Sequence, residues 1–555
     1  MIGVIAKAED HDVVAEFFEL FKTPWDWFSA GRDYDVLLIS SDDDLSRCSA
    51  KITVHYAGHE LASDKADGLQ VGPRTDGGIL KSRGEQIPVY GDLVTFADEA
   101  VGSSCPEGSN MSPIIQREVG GRTKIRVGCD LFAEIRTLLT KGQPAAYAQI
   151  PTLDAHIGLL RELTISNGIE LTEIPPAPEG YSFIACLTHD IDHPAIAIHK
   201  WDHTAAGFFY RATLGSLIGF LRGRTSWRAM LRNWAAAVRL PFVYFGAAKD
   251  FWSGFADRYR KLEGPLPSTW FVIPFAGRPG QGEKGPAPKN RRAGYGAKDI
   301  ACSLRKILDA GNEIGLHGID AWADPGRGRL ELQEVRSATG SQAVGARMHW
   351  LYFDKDSAVS LENIGVEYDS TFGYRETVGF KAGTAQVYKP LNASRLLELP
   401  LHIMDTALFY PACLNMTQSQ AVVQLKPLVD STVRFGGCLT INWHDRSLAP
   451  ERNWDVAYAS LLGDLKEKGA WFATAGQVAS WFRMRRSVTF VQDDAGKIMP
   501  FIPRQDTRPK PLPGLIVRVY NAPDQQKTER SGSRTSGNAI ATMDINGGIS
   551  TRSAQ

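Results

Sequence analysis

Short apolar runs alternate with amphipathic segments through most of the chain. In the first part, the apolar runs predict buried strands, and the segments with apolar residues on one face predict helices. Strand, helix and strand in this rhythm favour a small α/β domain with a parallel sheet over residues 1–175. Two polar, Gly-rich stretches at 62–84 and 102–122 predict loops. The predicted strands are 2–6, 36–39 and 52–54, and the predicted helices are 12–21, 132–139 and 153–165.

A Pro-rich run from Glu173 to Gly180 predicts a domain boundary. Beyond it, over 181–485, about seven strand-like runs alternate with helical segments. This pattern predicts an α/β fold of the (β/α) barrel type, distorted or incomplete and seven-stranded, preceded by the smaller α/β domain. The predicted strands end at Cys186, Ile273, Leu316, near Arg347, Tyr368, Leu399 and Asn442.

An insertion of about 200–260 separates the first two predicted barrel strands. Within it, 208–232 combines aromatic and aliphatic residues with Arg222, Arg224, Arg228 and Arg232. Such a segment is typical of a helical hairpin packed on its own domain. The alternative that this pattern favours less is a peripheral helix pair on a membrane surface, with arginines toward the headgroups.

The chain changes character after residue 487. Apolar runs within 487–521 predict a small β appendix, and 522–555 is rich in Ser, Gly, Thr, Asn and Gln. Because so few large apolar residues occur in 522–555, this segment is predicted to be a disordered tail.

The overall composition is that of an ordinary globular protein. The 555 residues are 43% hydrophobic and 22% charged, with 62 basic and 62 acidic side chains. This balance gives no electrostatic footprint for nucleic acid. The early acidic residues argue against a signal peptide, and no apolar window is long enough to span a bilayer. We therefore expect a cytoplasmic protein, with peripheral contact at the inner membrane face as an extension.

Candidate chemistry begins directly after the apolar run 181–186. Asp190 and Asp192 follow it, flanked by His189 and His193. A strand end holds such side chains rigidly at an open rim, which is what a metal-assisted hydrolase requires. The alternative interpretation of this stretch alone is a polar loop.

Four further predicted strand ends also carry polar groups. Each alone is weak, because a single histidine near a strand is more often structural. Five such sites at successive strand ends of one barrel favour a shared site. The four are His317, the pair Arg347 and His349, Asp369, and His444.

These motifs, over roughly 181–480, resemble the polysaccharide deacetylase family (NodB homology, carbohydrate esterase family 4-like). The resemblance implies that Asp190 is the general base and Asp192 a metal ligand, with one residue inserted between the pair. It implies that His317 is the first histidine of a ligand pair spaced HxxxH. Arg347 corresponds to the arginine that orients the base, and His444 to the general acid, with Asn442 or Trp443 beside it.

The chain departs from this family where the second histidine of the pair is expected. Ala321 stands there and cannot bind a metal, and two ligands alone would hold a divalent ion poorly. His349 is the candidate third ligand, because it alternates with Arg347 along one strand. His193 is the next candidate.

The resemblance implies a divalent metal, with Zn²⁺ first and Co²⁺, Mn²⁺ or Ni²⁺ as alternatives. It implies an enzyme that removes N-acetyl groups from a carbohydrate, either a polysaccharide or a lipid-linked amino sugar, with 208–232 facing the membrane in the second case. The alternative is a non-catalytic carbohydrate-binding or scaffold protein on a decayed deacetylase barrel.

Overall fold

The computed structural model describes residues 1–41, 50–82, 85–97, 111–342, 345–492, 498–501, 512–521, 540–543 and 549–552. The chain divides into two compact units. The first comprises 1–180, 382–384 and 482–555, and the second comprises 181–381 and 385–481.

The first unit is built around a six-stranded sheet in the order β10-β11-β4-β3-β1-β2. All its pairings are parallel except that of β10 with β11. The strands up to residue 175 are β1 (Ile2–Ile5), β2 (Trp25–Trp27), β3 (Tyr34–Ile39), β4 (Ala50–Tyr56), β5 (Gln70–Val71), β6 (Thr75–Ser82), β7 (Glu85–Leu93), β8 (Phe96–Ala97), β9 (Met111–Ser112), β10 (Ile114–Val119), β11 (Arg122–Val127) and β12 (Leu171–Glu173). The helices are α1 (His11–Phe21), α2 (Ala62–Ala66), α3 (Leu131–Thr140) and α4 (Thr152–Ser166).

The small α/β domain therefore forms with the predicted strands and helices in place. The prediction of loops at 62–84 and 102–122 is wrong for the described residues that form β6 and β10, and residue 122 begins β11. Both β6 and β10 are antiparallel strands with mostly exposed or half-buried side chains. Since neither strand buries a continuous apolar run, their sequences lack the signal that marks β1 and β3.

The second unit is an incomplete barrel. Eight strands pair in the order β20-β19-β18-β17-β14-β13-β22-β21, β23 also pairs with β13, and every pairing is parallel. The strands are β13 (Phe183–Ile191), β14 (Ser268–Val272), β15 (Gln281–Gly282), β16 (Gly285–Pro286), β17 (Glu313–Gly318), β18 (Gly345–Met348), β19 (Tyr368–Asp369), β20 (Leu397–Glu398), β21 (Leu401–Met404), β22 (Cys438–Asn442) and β23 (Ala470–Phe472).

Helices connect these strands, so the predicted fold class is confirmed. The sheet also has two short strands, β21 and β23, that the apolar pattern did not predict. The helices from residue 181 onward are α5 (His203–Tyr210), α6 (Ser216–Leu221), α7 (Trp227–Tyr244), α8 (Phe255–Glu263), α9 (Ala301–Asp309), α10 (Pro325–Thr339), α11 (Ser357–Asn363), α12 (Asp405–Phe409), α13 (Gln418–Phe435), α14 (Asp455–Glu467) and α15 (Ala475–Arg486). Among the described residues, no helix is both long enough and apolar enough to cross a membrane.

The C-terminal strands complete the first unit. A hairpin forms from β24 (Thr489–Gln492) and β25 (Ile498–Phe501), and β26 (Val517–Tyr520) pairs antiparallel with β12. Strands β27 (Ile540–Met543) and β28 (Ile549–Arg552) extend that sheet. The rest of the predicted tail, 522–539, 544–548 and 553–555, lies outside the described residues.

Candidate metal centre and its acid–base pair

The predicted site residues lie at the carboxyl ends of four strands of the barrel sheet, in which β14 separates β17 from β13. β13 carries Asp190, β17 carries His317, and β18 carries Arg347. His349 directly follows β18, and His444 follows β22. The apolar run predicted that the first strand ends at Cys186, but β13 continues to Ile191 because its polar end still pairs with β14 and β22. Asp190 is therefore held within the sheet, and Asp192 is the first residue beyond the strand.

Asp192, His317 and His349 converge on one point. Nε2 of His317 lies 3.1 Å from Nδ1 of His349, and Oδ1 of Asp192 lies 3.4 Å and 3.5 Å from these two nitrogens. Two ligand atoms about 2.0–2.1 Å from a tetrahedral ion are about 3.3–3.4 Å apart. The three separations therefore match the face of a tetrahedral site.

The outer hydrogen bonds of the two imidazoles fix which nitrogens can bind a metal. Nδ1 of His317 bonds the carbonyl oxygen of Arg347 at 3.0 Å, and Nε2 of His349 bonds that of Arg291 at 2.9 Å. A carbonyl oxygen only accepts, so each of these nitrogens carries the proton. In the neutral rings, Nε2 of His317 and Nδ1 of His349 then present lone pairs to each other, which is unfavourable unless a cation lies between them.

The carboxylate completes this arrangement. Among the described residues, none donates a hydrogen bond to Oδ1 of Asp192, although that atom is buried. Burial lowers the pKa of His349 to about 3, so this imidazole is neutral and able to bind a metal at physiological pH. Two imidazole lone pairs and one unpaired carboxylate oxygen fit a divalent ion with nitrogen and oxygen ligands, such as Zn²⁺.

A sharp backbone turn places His349 in the site. The two residues after it, Trp350 and Leu351, have φ values of 63° and 53°, in the left-handed region that bulky side chains rarely adopt. Arg291 stabilises this turn, because its Nη2 donates to the carbonyl oxygen of His349 at 2.8 Å while its own carbonyl accepts from the ring.

Neither Ala321 nor His193, the other two positions considered for a metal ligand, belongs to this cluster. Ala321 is completely buried, and α10 packs so closely that a Cβ added at Gly328 would come within 3.0 Å of it. This packing leaves little room for a larger side chain at 321. Nδ1 of His193 lies 3.0 Å from Nε2 of His199, so that imidazole bonds a second histidine and lies outside the Asp192, His317 and His349 cluster.

Asp190 is held by two groups. Nη1 of Arg347 donates to its Oδ1 at 3.0 Å, and Nδ2 of Asn442 donates to its Oδ2 at 2.7 Å. Arg347 is itself fully buried and is fixed by Thr188 and Ser370. Burial opposes the charge of Asp190, but Arg347 together with His317 and His444 keeps its pKa below the usual value. An ionised carboxylate in a fixed position can accept a proton.

His444 lies on the other side of the acidic pair. Its Nε2 is 4.0 Å from Oδ2 of Asp190 and 3.8 Å from Oδ2 of Asp192. Its Nδ1 donates to Oδ1 of Asp405 at 2.6 Å, and its backbone N–H donates to the other oxygen of Asp405. Burial disfavours the imidazolium, but Asp405 outweighs burial and raises the pKa of His444 to about 10. His444 is therefore protonated near neutral pH and can donate a proton.

Three positioning residues were not predicted in these roles. Asp405 orients His444, Arg291 orients His349, and the Asn442 side chain bonds both the backbone N–H and the carboxylate of Asp190. In contrast, His189 is a structural residue. Its ring is fully buried, its Nδ1 bonds the Trp443 carbonyl at 2.8 Å, and its Nε2 lies 2.9 Å from a carboxylate oxygen of Glu263.

The combination supports hydrolysis by metal-activated water. Three ligand atoms on one side leave the remaining position of a tetrahedral ion for water or substrate. A carboxylate base and an imidazolium acid lie beside them, which is the pairing needed to cleave an acyl bond without a covalent intermediate.

No family model matches the chain, and no curated protein matches it. Solved structures do. One, classified as a polysaccharide deacetylase from Mycobacterium smegmatis, is 19% identical, with 61% of this chain and 100% of that chain covered and a TM-score of 0.34. A family 4 acetyl xylan esterase from Clostridium thermocellum, in complex with a cobalt ion, is 13% identical, with 54% and 91% covered and a TM-score of 0.25. A peptidoglycan deacetylase from Bacillus subtilis is 12% identical, with 56% and 95% covered and a TM-score of 0.25. At these identities the likeness concerns the fold alone.

Proposed function

We propose that this protein is a metal-dependent hydrolase that removes N-acetyl groups from a carbohydrate. The observation that carries the proposal is the pair of imidazole lone pairs on His317 and His349, 3.1 Å apart, beside an unpaired oxygen of Asp192. A divalent ion between these three atoms would satisfy all of them at once, which supports the proposal. We propose Asp192, His317 and His349 as the ligands, Asp190 as the base and His444 as the acid.

A divalent ion held there, with Zn²⁺ the first choice and Co²⁺, Mn²⁺ or Ni²⁺ as alternatives, would polarise the acetamide carbonyl and acidify a water molecule. Asp190, fixed by Arg347 and Asn442, accepts a proton from the attacking water. His444, held protonated by Asp405, donates its proton to the departing nitrogen. A carbon–oxygen bond forms and the carbon–nitrogen bond breaks, so the products are acetate and a free amino sugar.

The test combines metal analysis with acetate release from N-acetylated sugars. We expect one divalent ion per chain and acetate release that chelation abolishes. Asp190→Asn should retain the ion and lose turnover, whereas Asp192→Ala should lose both. A stoichiometric ion without acetate release from any N-acetylated sugar would reject deacetylation, and absence of a bound ion would favour the non-catalytic carbohydrate-binding alternative.

We also propose that the enzyme acts at a membrane surface on a lipid-linked sugar, contacting the bilayer through 208–232 and its flanking helix residues. This extends the expectation of a cytoplasmic protein at the inner membrane face. Helix α7 supports it, because its two faces are both apolar. One face, which includes Ala229, Ala236, Leu240 and Val243, is buried in its own domain. The opposite stripe is exposed and consists of Trp227, Leu231, Trp234, Val238, Phe242 and, directly after the helix, Phe245.

Packing of the hairpin therefore explains one face and leaves the other without a partner in its own domain. Half of the exposed large apolar side chains among the described residues lie within 203–249. The same segment holds seven basic residues and no Asp or Glu, in a chain whose total charge is zero. An apolar stripe surrounded only by cations complements an anionic bilayer surface.

Sedimentation with vesicles tests this contact. The protein should co-sediment with phosphatidylglycerol vesicles, less with phosphatidylcholine vesicles, and less as salt rises, because salt screens the arginines. Leu231→Ser combined with Trp234→Ser should lower the bound fraction several-fold. Val423→Ser, at an exposed apolar position of α13, is the matched control. Equal sedimentation of the two variants would leave only the packing role.

A further inference from the structure

Three arginines gather beside His444 around one tyrosine. Arg446 and Arg452 belong to the loop that carries His444, and Tyr410 directly follows α12, which begins with Asp405. Nη2 of Arg452 donates to the Tyr410 hydroxyl at 2.7 Å, and Nη2 of Arg446 approaches the same oxygen at 3.5 Å. Arg211, which follows α5, lies close enough that burial, together with the charges of Arg452 and Arg446, lowers its pKa to about 10.

These guanidiniums are neutralised only indirectly. Burial opposes the charge of Arg452, but Tyr410, together with Glu451 and Asp405, keeps its pKa above the usual value. In the described part of the chain, no carboxylate lies within ion-pair distance of any of the three, and Nε of Arg211 has no hydrogen-bond partner. Arg452 is only 8% exposed, yet its Nε and Nη1 are also without partners. Glu451 offsets part of the charge, but it accepts a hydrogen bond from Trp252 and a net positive charge remains. Buried cations that repel one another indicate a missing anion.

Resting on the function proposed above, we propose that Arg211, Arg446 and Arg452, with Tyr410, bind a phosphate group carried by the carbohydrate substrate. The planar forks of arginine match the oxygens of a phosphate. Burial raises the pKa of Tyr410, but Arg452 and Arg446 lower it to about 8, so its hydroxyl still carries a proton to donate at neutral pH. In a 2-acetamido sugar with a phosphate on the anomeric carbon, that phosphate is on the carbon adjacent to the acetamide. A site immediately beside the general acid His444 therefore lies where such a phosphate would fall.

An anionic lipid headgroup offers the same phosphate chemistry, so the two sources must be distinguished. The structure favours the substrate. Arg452 is buried and Arg211 and Arg446 are half-buried beside the acid–base pair, whereas Arg222, Arg224 and Arg228 of the insertion are exposed, as headgroup contacts would be.

The test measures binding of N-acetylglucosamine 1-phosphate and of neutral N-acetylglucosamine by calorimetry to the metal-loaded protein. We expect the phosphorylated sugar to bind more tightly, and Arg446→Gln to lower the ratio of the two affinities about tenfold. Arg452→Gln should act in the same direction, and thermal melting reports whether this buried variant folds. Arg239→Gln, on the exposed surface of α7, should leave the ratio within twofold.

Two further measurements distinguish phosphate binding by the arginines from binding by the metal or to a lipid headgroup. Inorganic phosphate should still bind Asp192→Ala, which lacks the metal, and should bind Arg446→Gln at least tenfold more weakly. If inorganic phosphate instead bound Arg446→Gln normally and failed to bind Asp192→Ala, the phosphate would be bound by the metal. This result would overturn the proposal. So would an Arg446→Gln variant that loses phosphatidylglycerol vesicle binding but keeps its affinity for the sugar phosphate. Arginine-dependent phosphate binding without acetate release would reject the deacetylase function and leave the phosphate site standing.

Discussion

Each of the two units holds a buried arginine on a sheet strand that pairs with an aspartate, and only the pair in the barrel lies beside the proposed metal ligands. In the first unit, Arg126 donates to Asp64 at 3.0 Å and to the carbonyls of Ala57, Val127 and His59. The other oxygen of Asp64 accepts from the Leu61 N–H. A cavity of about 1000 Å³ lies beside this pair, but the pair's hydrogen bonds are made within the protein.

In the barrel, Arg347 and Asp190 form a similar pair at 3.0 Å. Two residues further on, Asp192 retains an oxygen for which the described residues provide no donor. The comparison teaches that neither a large cavity nor a buried ion pair identifies a reactive site. What distinguishes the barrel is that an unpaired oxygen and two lone pairs meet at one point.

Replacing one aspartate in each unit tests this difference most directly. Asp192→Ala should lose the proposed metal and reduce acetate release to background. It should cost less stability than Asp64→Ala, because the described residues donate no hydrogen bond to Oδ1 of Asp192 and His444 only approaches its Oδ2 at 3.8 Å. Asp64→Ala should retain the metal and lower the free energy of unfolding by about 3–5 kcal/mol, since it leaves Arg126 buried without its partner. Metal analysis and thermal unfolding of both variants measure the contrast, and similar effects on both quantities would contradict it.

Asp190→Asn tests the negative charge of the carboxylate that pairs with Arg347. The amide can still bond Arg347 but cannot accept a proton, so kcat should fall about 10²–10⁴-fold with the metal content unchanged. If Asp190→Asn loses metal as completely as Asp192→Ala, the assignment of base and ligand within the pair is wrong.

His349→Ala tests the ligand that replaces the expected histidine at Ala321. We expect metal affinity to fall by more than the 10–100-fold that loss of an outer hydrogen-bond partner typically causes. Arg291→Met, which removes the contact to the His349 carbonyl, provides the smaller effect for comparison. Full metal occupancy in His349→Ala with weaker substrate binding would instead assign His349 to the substrate.

Asp405→Asn should give the smallest of these effects, and its effect should depend on pH in a way that the other variants do not show. The proposed mechanism requires protonated His444, whose raised pKa of about 10 keeps it charged until the pH rises through that value. Without the Asp405 charge, this pKa falls toward the ordinary value for histidine, so the alkaline limb of kcat/KM should move to lower pH. Near pH 8 the loss should be about 30-fold, because a histidine of ordinary pKa is only slightly protonated there. A uniform loss at all pH values would show a purely structural role for Asp405.

The sequence predicted most of the buried parallel strands and the candidate site residues at their ends, because both have local signals. Buried parallel strands such as β13 and β17 appear as continuous apolar runs, and the groups at their ends follow within a few residues. The positioning residues have no such signal. Asp405 precedes His444 by 39 residues, and Asn442 bonds Asp190 across 252 residues, so only the folded sheet brings them together. The pairing of β26 with β12 is non-local for the same reason.

The turn after His349 has a thermodynamic consequence. Trp350 and Leu351 adopt left-handed backbone angles that raise the energy of the chain by about 1–2 kcal/mol each. Binding of an ion to His349 favours the conformation that carries this strain, so ligation and local order are linked. Amide hydrogen exchange at 349–352 should therefore slow when the ion binds, more than at β17 or β22. The turn would then report the ion's presence through backbone dynamics rather than through catalysis.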